Sequence, residues 1–527
     1  IVAYICNRSF IDARHTDGFR KVIGGEKKGN KGHPVAAEFG HIYVVDLGGD
    51  YKNPVAGKAN VFGISTGVAI MFLVKNGHPK GRAHIKYFAT PDDATRQAKL
   101  EFLSSAKIEL LDAVQIDPNP EGRWLNTETN DFGSHIPTAS RAVKLGKSQE
   151  AIFRLFSLGV VSNRDDWVYD HDAHHLIEKM NYLTQTYNSD VIRLKGVAYI
   201  AALNYSIKWT RAVKQSLERG EESKIEEKRI VNALYRPFTR KKLYYCGFWN
   251  EMRYQMPQIF PEKARANLVI IISNSANRKS FFCLASNTIF DLNFVADPGE
   301  CLPLYSYDED GKRRDNLTDW GLKQFQQHYK DNKITKQDVF HYTYAVLHHP
   351  AYRAEYQVNL KREFPRIPFY DGFRQWAKWG KALMALHLNF DHAKPYPLNR
   401  QDKKVLTATQ KELIPDERLR PGRLLDDKPT LKPKLKADKA AGVIEVDSTT
   451  ILQGIPPLAW DYKLGDRSGL EWVLDQWKEH KISDPTVSEK FNTYRFSDHK
   501  EHVIDLLRRV CTVSVETMKI VRAMTPD

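Results

Sequence analysis

The chain has 527 residues, enough for about two to four domains, and 42% of them are hydrophobic, enough to build their cores. Lysine and arginine (79) outnumber aspartate and glutamate (64), which gives a net charge of +15, and 11% of the residues are aromatic. This combination favours a polyanionic partner such as a nucleic acid. The alternative is a basic protein that has no such partner. The longest apolar runs, 68–74 and 268–272, are too short to span a membrane, and five widely spaced cysteines suggest no disulfide framework and favour a reducing, cytoplasmic compartment.

The first part of the chain combines strands with a helix. Residues 1–6, 41–47 and 67–74 have strand patterns, and residues 12–23 have the pattern of a short amphipathic helix. The helix predicts a parallel crossover between the first two strands, and the loop rich in Gly, Asn and Pro before the third strand predicts a hairpin. We therefore expect the tail end of a larger sheet, and a sequence that begins inside a domain.

The rest of the chain is predicted to be helical first and then rich in short strands. A helical pattern from 91 to 230 predicts a spacer of packed helices, and short strands separated by Asn, Ser, Pro and Gly return after it. The segment 400–440, rich in Lys, Pro and Asp, predicts a surface loop or linker. We expect an α/β chain with three parts: a sheet remnant (1–90), a helical spacer (91–230) and a mixed α+β domain (231–527).

Several stretches resemble type ISP restriction-modification enzymes, single polypeptides that combine a nuclease, a DNA-translocating ATPase, an adenine-specific methyltransferase and a target recognition domain. Among them are "NVFGISTGVAIMFLVK" (60–75), "YRPFTRKKLYY" (235–245) and "WDYKLGDRSGLEWVLDQW" (460–477), and they follow the family's order over nearly the whole chain. The resemblance implies that residues 1–90 are the last strands of a Rossmann-like, gamma-class methyltransferase sheet and that 231–527 is the target recognition domain.

Two family motifs carry methyltransferase chemistry: a glycine-rich turn after the first strand holds S-adenosylmethionine, and an NPPY or DPPY tetrapeptide follows the fourth. "DPNP" (117–120) lacks the aromatic residue, and "GGEKKGNKG" (24–32) follows a helix instead of a strand. We therefore expect no catalytic residue and no complete S-adenosylmethionine site in this chain. The methyltransferase core, helicase and nuclease would lie upstream, and whether the chain alone is an enzyme stays open.

An adenine inside a duplex must be flipped out before its amine can be methylated, and a flipped base needs aromatic walls. The resemblance places Phe62 where the family packs an aromatic residue against the flipped adenine. In the alternative, Phe62 packs beneath its own hairpin. Asn7 and Ser9 follow the first strand and are expected at the rim of the same cleft, or alternatively cap a turn.

Three segments have suitable chemistry for binding DNA. Basic and aromatic residues are densest at 234–257, where they could hold phosphates. The loop 273–282 offers side chains that pair with adenine and guanine. The turn 462–472 offers two cations at a helix start. The predicted DNA-binding residues are Arg164, Arg236, Arg240, Lys241, Lys242, Arg253, Asn274, Asn277, Arg278, Lys279, Lys463 and Arg467.

Each of these assignments has a structural alternative. Arg164 could form a helix cap or ion pair, about half of the aromatics at 234–257 could be core, the loop could be ordinary solvated loop, and Asp466 or Ser468 could cap the helix. The histidine clusters at 171–175 and 341–356 lack supporting ligands, so no metal site is expected. We therefore predict sequence-specific recognition of double-stranded DNA within a type ISP enzyme, or alternatively a stand-alone DNA-binding specificity subunit.

Overall fold

The computed structural model describes residues 1–11, 13, 16–25, 36–49, 59–76, 81–91, 94–118, 124–125, 130–194, 203–261, 266–274, 279–361, 363–402 and 433–524. The chain divides into two compact units, Ile1–Asp131 and Phe132–Asp527, here called unit 1 and unit 2. Each unit has its own hydrophobic core.

Unit 1 is built around one sheet. Its described strands are β1 (Val2–Asn7), β2 (His41–Gly48), β3 (Val68–Val74), β4 (His84–Ala89) and β5 (Val114–Ile116), and its helices are α1 (Asp17–Gly24) and α2 (Arg96–Ser105). The strand order is β1-β3-β2-β4-β5, and β3 pairs antiparallel with both β1 and β2. The strands β1 and β2 therefore run parallel, as the crossover predicted, and β3 lies between them.

The sheet of unit 1 is covered on both faces because its strands carry apolar side chains on both. Ile42 and Val44 belong to a cluster on the α1 side. On the other face, Val45 and Leu47 form a second cluster with residues of α2, and Phe88 stacks on Phe102 of α2 at 5.2 Å between ring centroids. The first helix of the predicted spacer therefore completes the core of unit 1.

Unit 2 contains short strands and many helices. Its described strands are β6 (Ile136–Pro137), β7 (Ser157–Leu158), β8 (Tyr169–Asp170), β9 (Ile230–Arg236), β10 (Thr239–Tyr244), β11 (Val269–Ser273), β12 (Cys283–Ser286), β13 (Ile289–Phe290), β14 (Gly299–Pro303), β15 (Tyr305–Tyr307), β16 (Arg313–Asp315), β17 (Arg366–Ile367), β18 (Asn399–Asp402), β19 (Pro433–Asp438), β20 (Val443–Asp447), β21 (Thr450–Gln453), β22 (Lys463–Leu464) and β23 (Arg467–Ser468).

The described helices of unit 2 are α3 (Arg141–Lys144), α4 (Asp165–Val168), α5 (Ala173–Arg193), α6 (Arg211–Glu218), α7 (Met256–Ile259), α8 (Asp319–Tyr329), α9 (Lys336–Val346), α10 (Pro350–Glu355), α11 (Gln357–Leu360), α12 (Phe373–Leu388), α13 (Leu458–Asp461), α14 (Gly469–Gln476), α15 (Pro485–Lys490) and α16 (Phe496–Ala523). The long α16 buries one face, including Val503, Leu507 and Val510, at helical spacing. None of the described helices is both long and apolar enough to cross a membrane.

The four-stranded sheets of unit 2 have the orders β13-β9-β10-β8, β12-β11-β14-β7 and β18-β21-β20-β19. Helix α5, from the predicted spacer, contributes Leu176, Met180 and Leu183 to the same core as β9 and β10. The division between the two compact units, at 131/132, falls inside the predicted spacer, whose helices bury apolar side chains against strands of one unit or the other. The functional domains assigned to 1–90, 91–230 and 231–527 stay predictions.

The β9–β10 hairpin positions the residues discussed below. Its strands pair antiparallel and are joined by a tight turn in which Phe238 has a φ of 56°. This left-handed conformation is unusual for a bulky residue. It is held because the Phe238 ring is fully buried, 5.3 Å from the Phe390 ring centroid and 6.3 Å from that of Tyr462.

Candidate nucleic-acid interface

The loop before β3 presents an aromatic ring to solvent. Asn60 organises this loop: its Nδ2 donates to the carbonyl oxygens of Gly49 and Thr66 at 3.0 and 2.7 Å, and its Oδ1 accepts from the Phe62 backbone N at 2.8 Å. Gly63 has a φ of +70°, which favours glycine. Phe62 is 55% exposed, so it does not pack beneath its own hairpin. Its stacking on a flipped base stays a prediction.

Asn7 and Ser9 lie at the end of β1. The Asn7 Oδ1 accepts from the Ser9 backbone N at 2.9 Å, which is the turn-capping alternative. Between them, Arg8 is buried, and its Nε donates to both carboxylate oxygens of Asp46 at 3.1 and 2.9 Å. The Tyr87 hydroxyl donates to the same carboxylate at 2.8 Å. These polar groups are therefore engaged within unit 1, and their place at the rim of a cleft stays a prediction.

Arg164 is buried, and its side chain is bonded inside unit 2. It is 1% exposed, and its guanidinium donates to the Trp249 carbonyl at 2.8 Å and to the Thr210 hydroxyl at 2.5 Å, with Glu251 at 3.9 Å. Burial lowers the pKa of this guanidinium to about 10. The predicted phosphate contact is corrected here, because the side chain does not reach solvent; Arg164 has a structural role.

Arg236 is also engaged by the chain itself. Its Nη1 donates to Asp291 at 2.7 Å and to the Tyr235 carbonyl at 2.7 Å, and its guanidinium lies 3.9 Å from the centre of the Tyr235 ring. The side chains of Arg236 and Asp291 are 12% and 3% exposed. The predicted phosphate contact finds no support in this geometry, because the charge already has a buried partner.

A cavity of about 380 Å³ lies beside β10. Three consecutive cationic residues of this strand, Arg240, Lys241 and Lys242, line it, and Asp391 is the acidic side chain in its described wall. We call it the basic cavity. Aromatic and imidazole side chains complete much of its wall: His171, Phe238, Phe390, Trp477, His499 and His502.

Two of the three cations have partners within the chain. The Arg240 Nε donates to Asp391 at 3.0 Å, and its Nη2 donates to the Leu388 carbonyl at 3.2 Å. The Lys242 ammonium donates to the Asn232 side-chain oxygen at 2.9 Å. Both side chains are held at the wall of the basic cavity by these contacts.

Lys241 differs from its two neighbours. Within the described ranges its ammonium forms no hydrogen bond and no ion pair, and it lies 4.4 Å from the centre of the Tyr235 ring. Burial and the nearby cations Arg236 and Lys179 lower its pKa to about 8. The basic cavity therefore contains a cation whose donors are not satisfied by the described chain.

A second group of basic side chains, here called the Trp472 cluster, brings together two segments that are far apart in sequence. The Lys279 ammonium and the Arg467 guanidinium lie 5.8 and 5.0 Å from the centre of the Trp472 ring. Asp466 ties the segments together, because its Oδ1 accepts from the Ser280 backbone N and hydroxyl at 3.3 and 3.1 Å. Lys279, Arg467 and Trp472 thus come from the two segments that the sequence singled out separately.

The helix start after this turn is capped by its own residues. Ser468 and Glu471 form a reciprocal capping box at the start of α14, so the Ser468 alternative holds. Arg467 pairs with Asp475 at 2.7 Å, and its side chain stays 40% exposed. Lys463 on β22 is exposed. Both cations are thus accessible to a polyanion.

The structure describes two of the remaining predicted DNA-binding residues and leaves two outside the described ranges. Arg253 is half-buried and lies 5.4 Å from the centre of the Tyr245 ring. Asn274 follows β11, and its backbone N donates to the Pro298 carbonyl at 3.2 Å. Asn277 and Arg278 lie outside the described residues, so their base contacts stay predictions.

Much of the basic cavity was missed by sequence reasoning. The His171 ring centroid lies 4.3 Å from that of Trp477 and 6.0 Å from that of His499, and His502 lies 5.0 Å from Trp477. Burial and neighbouring cations hold the pKa of His171 well below its usual range, which keeps the ring neutral. These residues come from opposite ends of unit 2, so no local pattern unites them.

No group of three or more His, Cys, Asp or Glu side chains in the described part of the chain is placed to hold a metal ion. Asp172 caps α5 by accepting from the backbone N atoms of His174 and His175 at 2.8 and 3.0 Å. The cluster at 171–175 therefore serves a helix start and the wall of the basic cavity.

Comparison with known proteins relates the whole chain to DNA-bound structures. Residues 151–506 match the family profile of the Type ISP C-terminal specificity domain. A cryoEM structure of a DrdV–DNA complex is 41% identical, with a TM-score of 0.80 over 100% of this chain and 50% of that one. No curated protein sequence gives a significant match.

Two further structures share the fold. A nuclease-deletion mutant of the Type ISP restriction-modification enzyme LlaGI, in complex with a DNA substrate mimic, is 26% identical, with a TM-score of 0.75 over 99% of this chain and 46% of that one. The ATP-dependent Type ISP enzyme LlaBIII bound to DNA is 23% identical, with a TM-score of 0.75 over 99% and 32%. The chain thus spans half or less of each of these proteins.

Proposed function

Because the profile match covers most of its length, the chain belongs to the Type ISP C-terminal specificity domain family, and we propose that it selects the DNA sequence on which a restriction-modification enzyme acts. Unit 2 reads a short sequence in duplex DNA. The duplex is thereby presented to a methyltransferase core on the same polypeptide, where a methyl group passes from S-adenosylmethionine to adenine. Helicase and nuclease domains complete that polypeptide.

One observation carries this proposal: the likeness to the DrdV–DNA complex extends over 100% of this chain at 41% identity. The exposed guanidinium of Arg467 in the Trp472 cluster agrees with it, because such a group at a surface can neutralise a phosphate. The sequence just before Lys279 contains amide and guanidinium side chains, which are the kinds that pair with adenine and guanine. Unit 1 supports the methyltransferase assignment, since β1 and β2 run parallel around an antiparallel β3.

Polar groups at the ends of β1 and β2 are engaged by the chain itself. Asn7 is committed to the Ser9 backbone, and Asp46 is committed to Arg8 and Tyr87. We therefore propose that the groups holding the methyl donor lie in other parts of the polypeptide. The isolated chain should transfer no methyl group from radiolabelled donor to DNA, and transfer by this chain alone would contradict the assignment.

Duplex binding is tested by fluorescence anisotropy of the whole chain across salt concentrations. Binding through phosphates should weaken steeply as salt rises, because each contact releases condensed counterions. The change Arg467→Ala should flatten the slope of log K against log salt by about 0.9 and weaken binding by about tenfold at low salt.

Arg374→Ala is the matched control. Arg374 also pairs with aspartate, at 2.6 Å from Asp331, and also lies over an aromatic ring, 5.8 Å from the centre of Phe373, but it is remote in sequence from every segment singled out for DNA. It should leave binding unchanged. Equal effects of the two changes, or salt-independent binding by the unaltered chain, would argue against this interface.

A further inference from the structure

The basic cavity has the size and lining of a ligand site. Its volume of about 380 Å³ lies within the range of about 300–1,000 Å³ found for small-molecule pockets. Buried aromatic side chains, Phe238 and Phe390, form part of its wall. The charged groups of β10 line the same space.

The strongest observation is the unmet bonding capacity of Lys241. Lys241 is half-buried, so its ammonium loses part of its hydration, and an acceptor that replaces the lost water stabilises it. Arg240 has Asp391 and Lys242 has Asn232, whereas the Lys241 ammonium meets the face of Tyr235 and forms no hydrogen bond or ion pair with the described chain. An acceptor brought into the cavity would satisfy it.

The charge balance specifies the kind of acceptor. Asp391 is the acidic side chain in the described wall, and it is already paired with Arg240. Asp170 and Asp165 lie near Lys241, but Asp170 pairs with Lys179 at 2.7 Å and Asp165 accepts from the Tyr235 hydroxyl at 3.0 Å. Lys241 and Lys242 therefore leave the cavity wall positively charged. A phosphate group matches a guanidinium and two ammonium groups better than one carboxylate does, because it carries more acceptor oxygens and up to two negative charges. A cationic ligand is disfavoured by the same charges.

We propose that the basic cavity binds a phosphate group, with the Lys241 ammonium as a donor and the positive charges of Arg240 and Lys242 adding to the attraction. A free phosphate and a phosphate of a DNA backbone share this chemistry. If the backbone is the source, the site deepens the proposed DNA recognition and rests on it; if a free phosphate is the source, it is independent of DNA.

The test measures inorganic phosphate binding to the whole chain by isothermal titration calorimetry at constant ionic strength, with chloride as the reference anion. Lys241→Met keeps the length of the side chain and removes its charge, and should weaken phosphate binding by at least about tenfold, while Lys241→Arg should retain it. Lys242→Met, expected to weaken binding less, is a second variant should the first one fold poorly. Lys519→Met, which removes an exposed lysine paired with Glu516, should have no effect.

A second arm identifies the source. Anisotropy with a mixed-sequence duplex is measured on the same variants, with and without phosphate. Loss of duplex affinity in Lys241→Met, together with competition by phosphate, assigns the site to the DNA backbone; unchanged duplex affinity with lost phosphate binding assigns it to a free phosphate. Duplex binding by the unaltered chain, with neither phosphate binding nor duplex binding changed in Lys241→Met, would refute the phosphate site and leave DNA recognition standing. Phosphate binding that depends on Lys241, without any duplex binding, would support the phosphate site and refute DNA recognition.

Discussion

Two groups of cations in unit 2 share a residue type and differ in what surrounds them. Arg164 and Arg236 are buried, and acceptors of the chain bond the terminal nitrogens of Arg164 and one terminal nitrogen of Arg236. Lys241, which lines the basic cavity, has no such acceptor in the described part of the chain, and Arg467 stays 40% exposed in the Trp472 cluster. The comparison teaches that a high density of basic residues does not identify an interface, because some of these cations are bonded inside the fold and only the others can meet a ligand.

The largest expected effect tests the buried group. Arg236→Ala should lower the free energy of unfolding of unit 2 by about 3–5 kcal/mol, because it strands the Asp291 carboxylate in the interior. Burial already raises the pKa of Asp291 to about 6, with Asp165 adding to the shift and Arg236 opposing it. The measurement is urea denaturation of the whole chain followed by circular dichroism.

The double change Arg236→Met with Asp291→Leu is the control for this prediction. It removes both charges together, so it should cost much less than the single change. A single Arg236 variant that keeps its stability but loses duplex affinity would place this residue with the accessible cations instead.

The second effect concerns base reading. Arg278→Ala should reduce discrimination between cognate and noncognate duplexes by about 1–3 kcal/mol, the worth of one good bidentate base contact, while nonspecific binding changes little. Competition anisotropy with both duplexes measures it. Equal loss on both duplexes would move Arg278 to the phosphate backbone.

The third effect uses the lowered pKa of Lys241. Since that pKa is about 8, the ammonium is charged at pH 7 and largely neutral at pH 9.5, so phosphate binding should weaken as pH rises, by up to about tenfold. Lys241→Arg should abolish this dependence, because arginine stays charged. An identical pH profile for the two proteins would exclude Lys241 as the titrating group. The charged or titratable groups around it are His171, Lys179, Arg236, Asp165, Asp170 and Tyr235.

The smallest effect is expected at an exposed lysine. Lys463→Ala should weaken duplex binding by only about two- to threefold and flatten the salt slope by at most about 0.9, because a solvated ammonium contributes as a point charge. The urea concentration at the unfolding midpoint of the Lys463→Ala variant should equal that of the unaltered chain. A fall in stability would show that Lys463 supports the turn instead.

The sequence predicted the elements whose structure is decided by residues close together in the chain. The strands β1, β2 and β3 carry apolar side chains in short runs, and their predicted positions lie close to the observed ones. The cations of β10 were found by their density. Their partners were not, since Asp391 and Trp477 approach β10 from elsewhere in the chain. Arg164 was misjudged for the same reason, because Thr210 and Trp249 are remote from it in sequence.

The ends of the loop 274–280 are held by bonds that do not involve the four side chains in its middle. The Ser273 hydroxyl accepts from the Phe282 backbone N at 3.0 Å, and Asp466 accepts from Ser280. Ser273 and Ser280 are therefore fixed to the rest of unit 2 at the two ends of this segment. Should Arg278 read a base, as predicted above, a change of recognition would need only a few codons between two anchors that stay in place.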